Sequence, residues 1–358
     1  MTTTGPQLAS SARLATCAML ALVAACSSQE SVRTSDVAEA IDAAMDRGSD
    51  FQDVGGNTDL LVQPDVGVEV SSPPAAAFVR LELSGGEAVE GELVATYERW
   101  RWWSAQGNDT PLYAVFDPAG FAAYPADRSL RFVPGDDVVS IAGREGSSPT
   151  YAQFLRERGI GFHEPPLDDV CWVITGNESY HREENGYGDF AWDYVKTDSA
   201  GRRFAAAGAA NEDYYVWDLP VRSSVAGTVV EVVSDGADNE PGSHPPAETA
   251  VNNFVGIALG GHYYAYYLHF RQGSIPASIM VGSTVEVGEF LGNVGNSGVT
   301  LEPHVHVTML WWDATAGRYY SVPSEHFGVD VGPTPGGPFE PHDHVVPRSG
   351  DYVRESSR

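Results

Sequence analysis

The chain has 358 residues, 42% of them hydrophobic, and carries 49 acidic against 21 basic side chains for a net charge of −28. That length holds two compact domains with linker, and the apolar content suffices for a packed core. The charge argues against nucleic acid and against docking onto anionic lipid, and it suits a soluble body in an extracytoplasmic space.

The N-terminus is expected to be processed. Arg13 precedes an apolar, small-residue run from Leu14 to Ala25, and Cys26 follows it. The run is too short to span a bilayer comfortably and fits a signal-peptide core. Its ending, Leu22-Val23-Ala24-Ala25-Cys26, resembles the lipobox of bacterial lipoproteins. Residues 1–25 therefore read as a lipoprotein signal peptide and Cys26 as the lipidation site. Membrane contact is expected through that lipid anchor only, with the body at the outer membrane or in the periplasm. Cys171 is then left without a partner for an intramolecular disulfide, and its neighbours Trp172, Val173 and Ile174 mark it as a buried small hydrophobe.

Residues 26–76 read as an acidic, disordered tether. Acids such as Glu30, Asp36, Asp42, Asp50 and Asp65 far outnumber Arg33 and Arg47, and Phe51 is the one aromatic. Such a segment buries too little apolar surface to offset its ordering entropy. Order is expected from Phe78, where Val79, Leu81 and Leu83 alternate with Arg80 and Glu82 before the turn Ser84-Gly85-Gly86. Leu93 to Tyr97 and Leu112 to Phe116 read as further strands, with Trp100, Trp102 and Trp103 between them as core aromatics. Tyr151 to Arg158 reads as a short amphipathic helix. Residues 77–166 thus form a mainly β accessory region.

From Cys171 onward strand follows strand. Asp189 to Val195 places Asp193 in an apolar setting, and Val225 to Val233 follows a serine pair. Val255 to Leu259 and Tyr263 to Phe270 flank Gly260-Gly261 as a hairpin. Val281-Gly282 and Val287-Gly288 lead to the glycine-rich turn Gly292 to Gly298 and then to His304-Val305-His306. No helix-period segment of useful length interrupts this run, so residues 167–330 are expected to be an all-β unit, an antiparallel sandwich or barrel. Residues 331–358 read as a C-terminal tail.

In a strand, residues two apart share a face, so His304 and His306 point into one space while Val305 and Val307 face away. Buried polar side chains in apolar strands need partners. Asp193 and His269 are two more of these, and His181 stands in the loop before the Asp193 strand. A hydrolytic zinc site takes three ligands from His, Asp and Glu and keeps a position open. His342-Asp343-His344 is a second such pair, but Pro341 and Pro347 flank it, and it reads as a solvated loop. His163 reads as linker, His244 as part of an acidic loop, and His326 as a residue that closes the domain.

With these motifs in order, the region from about Cys171 to Gly328 resembles the lysostaphin/LytM-type zinc endopeptidases, which cut peptide bonds in bacterial peptidoglycan. The resemblance is carried by His181 with Phe190-Ala191-Trp192-Asp193, by Pro220-Val221 through Gly227-Thr228-Val229, by Tyr266-Tyr267-Leu268-His269, and by Gly292 to Gly298 before His304-Val305-His306. It implies one Zn2+ held by His181, Asp193 and His306, with His269 and His304 as the catalytic pair. One histidine accepts a proton from water and the other stabilises the oxyanion, tasks that suit a side chain titrating near neutrality. In the family the first ligand usually lies four residues before the aspartate. Asp189 holds that position here, and His181 lies further upstream, so Asp189 is the alternative ligand. Leu301-Glu302 replaces the family's small residue and glycine before Pro-His. The stretches Asp198 to Asp218 and Ser234 to Asn252 are expected to rim the cleft and shape specificity.

Two other functions fit the same motifs. One is a non-catalytic LytM-like lipoprotein that binds wall or activates an amidase, as relatives lacking ligands or catalytic histidines do. The other is a metallopeptidase acting on a protein substrate.

Overall fold

The computed structural model describes residues 77–97, 111–122, 127–146, 149–176, 188–246 and 249–356. Cys26, the tether, Trp100, Trp102, Trp103 and His181 lie outside the described residues. The described chain is built from antiparallel strands and one α-helix, as the alternating patterns require.

The first sheet is made of β1 (Ala77–Leu83), β2 (Ala88–Tyr97), β3 (Leu112–Phe116), β4 (Leu130–Pro134) and β5 (Val138–Gly143) in the order β4-β3-β2-β1-β5. Helix α1 (Tyr151–Arg158) follows, in the expected place. Thr150 caps it: the Gln153 backbone N–H donates to Thr150 Oγ1 (3.3 Å) while the Gln153 side chain accepts from the Thr150 N–H (2.9 Å). Gly159 ends it in a left-handed conformation (φ 63°) that costs a glycine little. The buried face of α1, Tyr151, Phe154 and Leu155, packs on Phe116.

The second sheet takes β6 (Cys171–Thr175), β7 (Trp192–Val195), β9 (Gly227–Val233), β10 (Phe254–Gly260), β11 (Tyr263–Leu268), β12 (Thr284–Val285), β14 (Val305–Asp313), β15 (Arg318–Ser321), β16 (His326–Gly332), β17 (Glu340–Val345) and β18 (Tyr352–Glu355). Its order is β12-β9-β10-β11-β14-β7-β6-β18-β16-β17, with β15 on β14; β8 (Pro220–Arg222) and β13 (Phe290–Asn293) pair separately. At its centre β11 lies between β10 and β14 and is buried on both faces. Tyr263, Ala265 and Tyr267 enter the main core, whereas Tyr264, Tyr266 and Leu268 join a second cluster with Phe254 and Leu310. Gly256 makes room for that arrangement, because a Cβ there would lie 2.7 Å from Tyr266 Cζ. Cys171 is buried as expected, and burial pushes its thiol up to about 12.

The accessory sheet shares its core with the large sheet. Phe132 stacks on Tyr320 with ring centroids 3.9 Å apart, and Tyr97 OH donates to the Ser321 carbonyl (2.6 Å). Such an aromatic pair contributes roughly 0.5–1.5 kcal/mol beyond its area burial. These contacts fall at the Tyr263 end of β11 and the Trp311 end of β14, opposite the ends that carry the histidines.

Three expectations are corrected. The 331–358 segment is no tail: β17 and β18 extend the large sheet, with Val353 opposite Cys171 and His342 opposite Val329. His342 and His344 therefore sit on a strand rather than a loop, although both remain at least partly exposed. The prolines misled because β17 is an edge strand, where a missing N–H costs no ladder bond. The strand expected from Asp189 spans only Trp192–Val195, and Asp189 lies in the preceding turn.

His326 does close the domain. It is 1% exposed, shares a 2.6 Å hydrogen bond with Tyr194 OH, and packs against Phe162 and Trp192. Burial pushes its imidazole down from 6.5 to about 3. Below pH 6.5 the unfolded chain therefore binds a proton that the folded chain refuses. The stabilisation is complete above pH 6.5 and is lost as pH falls towards 3, at up to roughly 1.4 kcal/mol per pH unit. We expect His326→Gln to flatten this acid-side slope by about one proton in urea titrations between pH 6 and 4. An unchanged slope would refute the assignment.

Candidate active site

Four polar side chains converge where β7, β11 and β14 end. Backbone pairing sets two of them: His306 lies opposite both Asp193 on β7 and Leu268 on β11. The His306 side chain meets the Asp193 carboxylate, with Nδ1 3.0 Å from Oδ1. His304 Nε2 lies 3.4 Å from the same oxygen. His269 completes the group, its ring centroid 4.6 Å from that of His304 and 5.9 Å from that of His306. Ligand atoms of the three histidines lie within 4.8 Å of one another, and all four residues are buried. Val305 and Val307 face the core, as the period of two requires.

His269 and His304 both stand just outside their strands. Pro303 precedes His304, and β14 begins at Val305. His269 has left β11 with φ 67°, a left-handed backbone that costs a non-glycine residue about 1–2 kcal/mol. Tight bonds hold it there. Its carbonyl accepts from Gly295 N–H (2.9 Å), and Phe270 N–H donates to the Asn253 carbonyl (3.1 Å). Asn253, wholly buried, also donates to the Phe270 and Gly236 carbonyls (2.9 and 2.8 Å).

Backbone carbonyls fix both tautomers. His269 Nδ1–H donates to the Ser297 carbonyl (2.8 Å), and His304 Nδ1–H donates to the Glu302 carbonyl (2.9 Å). A carbonyl can only accept, so each ring keeps the lone pair of its neutral form on Nε2. The surroundings then drive the two imidazoles apart. Burial, reinforced by His304 and His306, holds His269 well below the usual histidine range, against the Ser297 bond and Asp193. Burial also pulls His304 down, but Asp193 and the Glu302 carbonyl outweigh it, and His304 ends above the usual value. Two titratable groups separated in this way are suited to opposite acid–base roles.

The donor set fits a divalent zinc ion: an acceptor-only carboxylate oxygen and an imidazole nitrogen 3.0 Å apart, in a buried pocket with further imidazoles beside them. Of the residues expected from sequence, Asp193, His269, His304 and His306 come together. Asp189 is buried in the turn before β7, and its carboxylate helps, after burial itself, to raise the Tyr97 hydroxyl. Glu302 turns inward through its carbonyl, and its carboxylate pairs with Arg203. Ser297 and Glu302 act on the histidines through backbone carbonyls, for which a sequence carries no signal, and Asn253 acts through both its carbonyl and its side-chain amide.

The body is all-β apart from one helix, and the buried carboxylate–imidazole cluster at its strand ends is of the kind that can hold a metal ion. Residues 213–317 match the model of peptidase family M23, a stretch that takes in His269, His304 and His306 and begins after Asp193. That match agrees with the resemblance carried by the motifs of the segment. No curated protein matches the chain. Among solved structures it is similar to a zinc-containing peptidase from Vibrio cholerae (16% identity, TM-score 0.28, 68% of this chain and 54% of that one). It is also similar to a variant of the catalytic domain of the prophage-encoded M23 protein EnpA from Enterococcus faecalis (20%, 0.24, 44% and 86%). A third is the catalytic domain of the antimicrobial peptidase lysostaphin from Staphylococcus simulans (17%, 0.22, 46% and 90%). The chain spans about half the length of the Vibrio cholerae peptidase.

Proposed function

We propose that this chain is a zinc-dependent endopeptidase that hydrolyses peptide bonds of bacterial peptidoglycan. The observation that carries the reading is the convergence of Asp193, His269, His304 and His306 in one buried pocket. The M23 match of residues 213–317 supports the reaction class.

Asp193 Oδ1 and His306 Nδ1 would hold the ion, with His181 as third ligand. When bound, it supplies Lewis acidity to the scissile carbonyl and lowers the pKa of a water. His269, kept neutral with its lone pair on Nε2, accepts the proton that water loses on attack. His304 in its protonated form, which its raised pKa favours, donates a hydrogen bond from Nε2 to the oxyanion that forms on the carbonyl. The proton then passes from His269 to the leaving amine. Burial excludes bulk water and strengthens both interactions. The chain acts outside the cytoplasm, tethered by a lipid on Cys26; an unmodified Cys26 in protein extracted from membranes would remove that part of the proposal.

The test is digestion of purified wall beside a protein substrate such as casein. Wild type should release new amino termini from wall, a chelator should stop the release, and zinc should restore it. Release from casein alone would mean a general metallopeptidase. Release from neither, by zinc-loaded protein, would leave a wall-binding module.

A further inference from the structure

The strand ladder does not set the distance between His269 and His304, since both lie beyond the last paired residue of their strands. Their loops must do so. Near the strands the loops bond directly: Arg271 N–H donates to the Asn293 carbonyl (2.9 Å), Gly295 N–H to the His269 carbonyl (2.9 Å), and Ser297 Oγ–H to the Phe270 carbonyl (2.9 Å). Beside these direct bonds, one side chain from a third loop spans the two loops. Asp238 Oδ2 accepts from Gln272 N–H (3.0 Å), three residues past His269, and Asp238 Oδ1 accepts from Asn296 N–H (2.7 Å), on the approach to His304. Its own segment is held in place, because Asn239 N–H donates to the Asn296 carbonyl (2.8 Å). Gly295 is the close approach that permits this: a Cβ there would lie 2.5 Å from Asp238 Oδ1 and 2.2 Å from Arg271 N.

We propose that Asp238 is a positioning residue whose carboxylate ties the two loops and so sets the separation of His269 and His304. Its catalytic consequence rests on the peptidase reading above. The chemistry selects a carboxylate. Both partners are N–H donors, and only an acceptor-only group with two oxygens satisfies both. Asparagine has the same shape but turns an NH2 towards one of the donors. The acidic stretch around Asp238 thus braces the pair and does not merely rim the cleft.

Asp238→Asn tests this in the full chain, read by amide exchange, zinc content and kinetics on wall. Exchange at Gln272 and Asn296 should speed up about tenfold, the size of one lost tie of roughly 1.4 kcal/mol. Zinc content should stay at the wild-type level, because Asp193 and His306 are set by β7 and β14. The kcat should fall about tenfold or more with KM little changed. Asn239→Ala, which loses only the bonds from Asn239 Nδ2 to the Gly298 and Thr300 carbonyls, should leave Gln272 protection intact. Unchanged exchange at both amides would overturn the tie. Loss of zinc and of melting temperature together with kcat would make Asp238 a folding residue and overturn the positioning role. If wild type fails to cut wall, the peptidase reading falls, yet the exchange comparison still decides the tie.

Discussion

Replacing His269 with alanine is expected to lower wall hydrolysis by about 10²–10⁴-fold while the metal stays bound. The imidazole is the group that remains neutral, and the Ser297 carbonyl holds its Nδ1–H, which leaves the Nε2 lone pair to take the proton. The substitution removes the side chain but keeps a residue at φ 67°, so the backbone strain is unchanged and the fold should hold. The stability cost should stay near that of one hydrogen bond, about 1 kcal/mol. Initial rates on wall, beside zinc content and melting temperature, separate the outcomes. Activity within tenfold of wild type would remove His269 from the reaction.

Asp193→Ala and His306→Ala should each abolish both metal binding and hydrolysis. Asp193 is the one carboxylate in contact with His304 and His306 among the described residues, and its Oδ1 and His306 Nδ1 form a preset pair of donors. Removing either leaves too few donors to retain a structural-strength site. The readout is melting temperature with and without zinc. Binding at a hundredfold excess over Kd stabilises by about 2.7 kcal/mol, so wild type should melt several degrees higher with zinc and the two variants should not respond. A zinc-dependent rise in Asp193→Ala equal to that of wild type would place the ion elsewhere.

Much of this was visible in the sequence for a physical reason. Strand period two put His304 and His306 on one face and Val305 and Val307 in the core, and the structure keeps that division. The amphipathic run marked α1 to the residue. Strands β4 and β5 went unread because they are short and give no sustained alternation of apolar and polar residues, and β17 because Pro341 tells against a strand unless the strand is an edge. The site was legible in part. Asp193 and the histidines announced themselves as polar groups in apolar strands. The left-handed turn at His269 did not, nor did the ties from Ser297, Glu302 and Asp238. The ties from Ser297 and Asp238 join loops far apart in the chain, and all three run through backbone carbonyls or amides that every residue carries.

The most direct test of the account is the zinc content of purified full-length protein after exposure to zinc and removal of the excess. One zinc per chain in wild type, and none in His306→Ala, is the predicted result. Wild-type protein that folds normally but retains no zinc would contradict the metal site and, with it, the hydrolytic function.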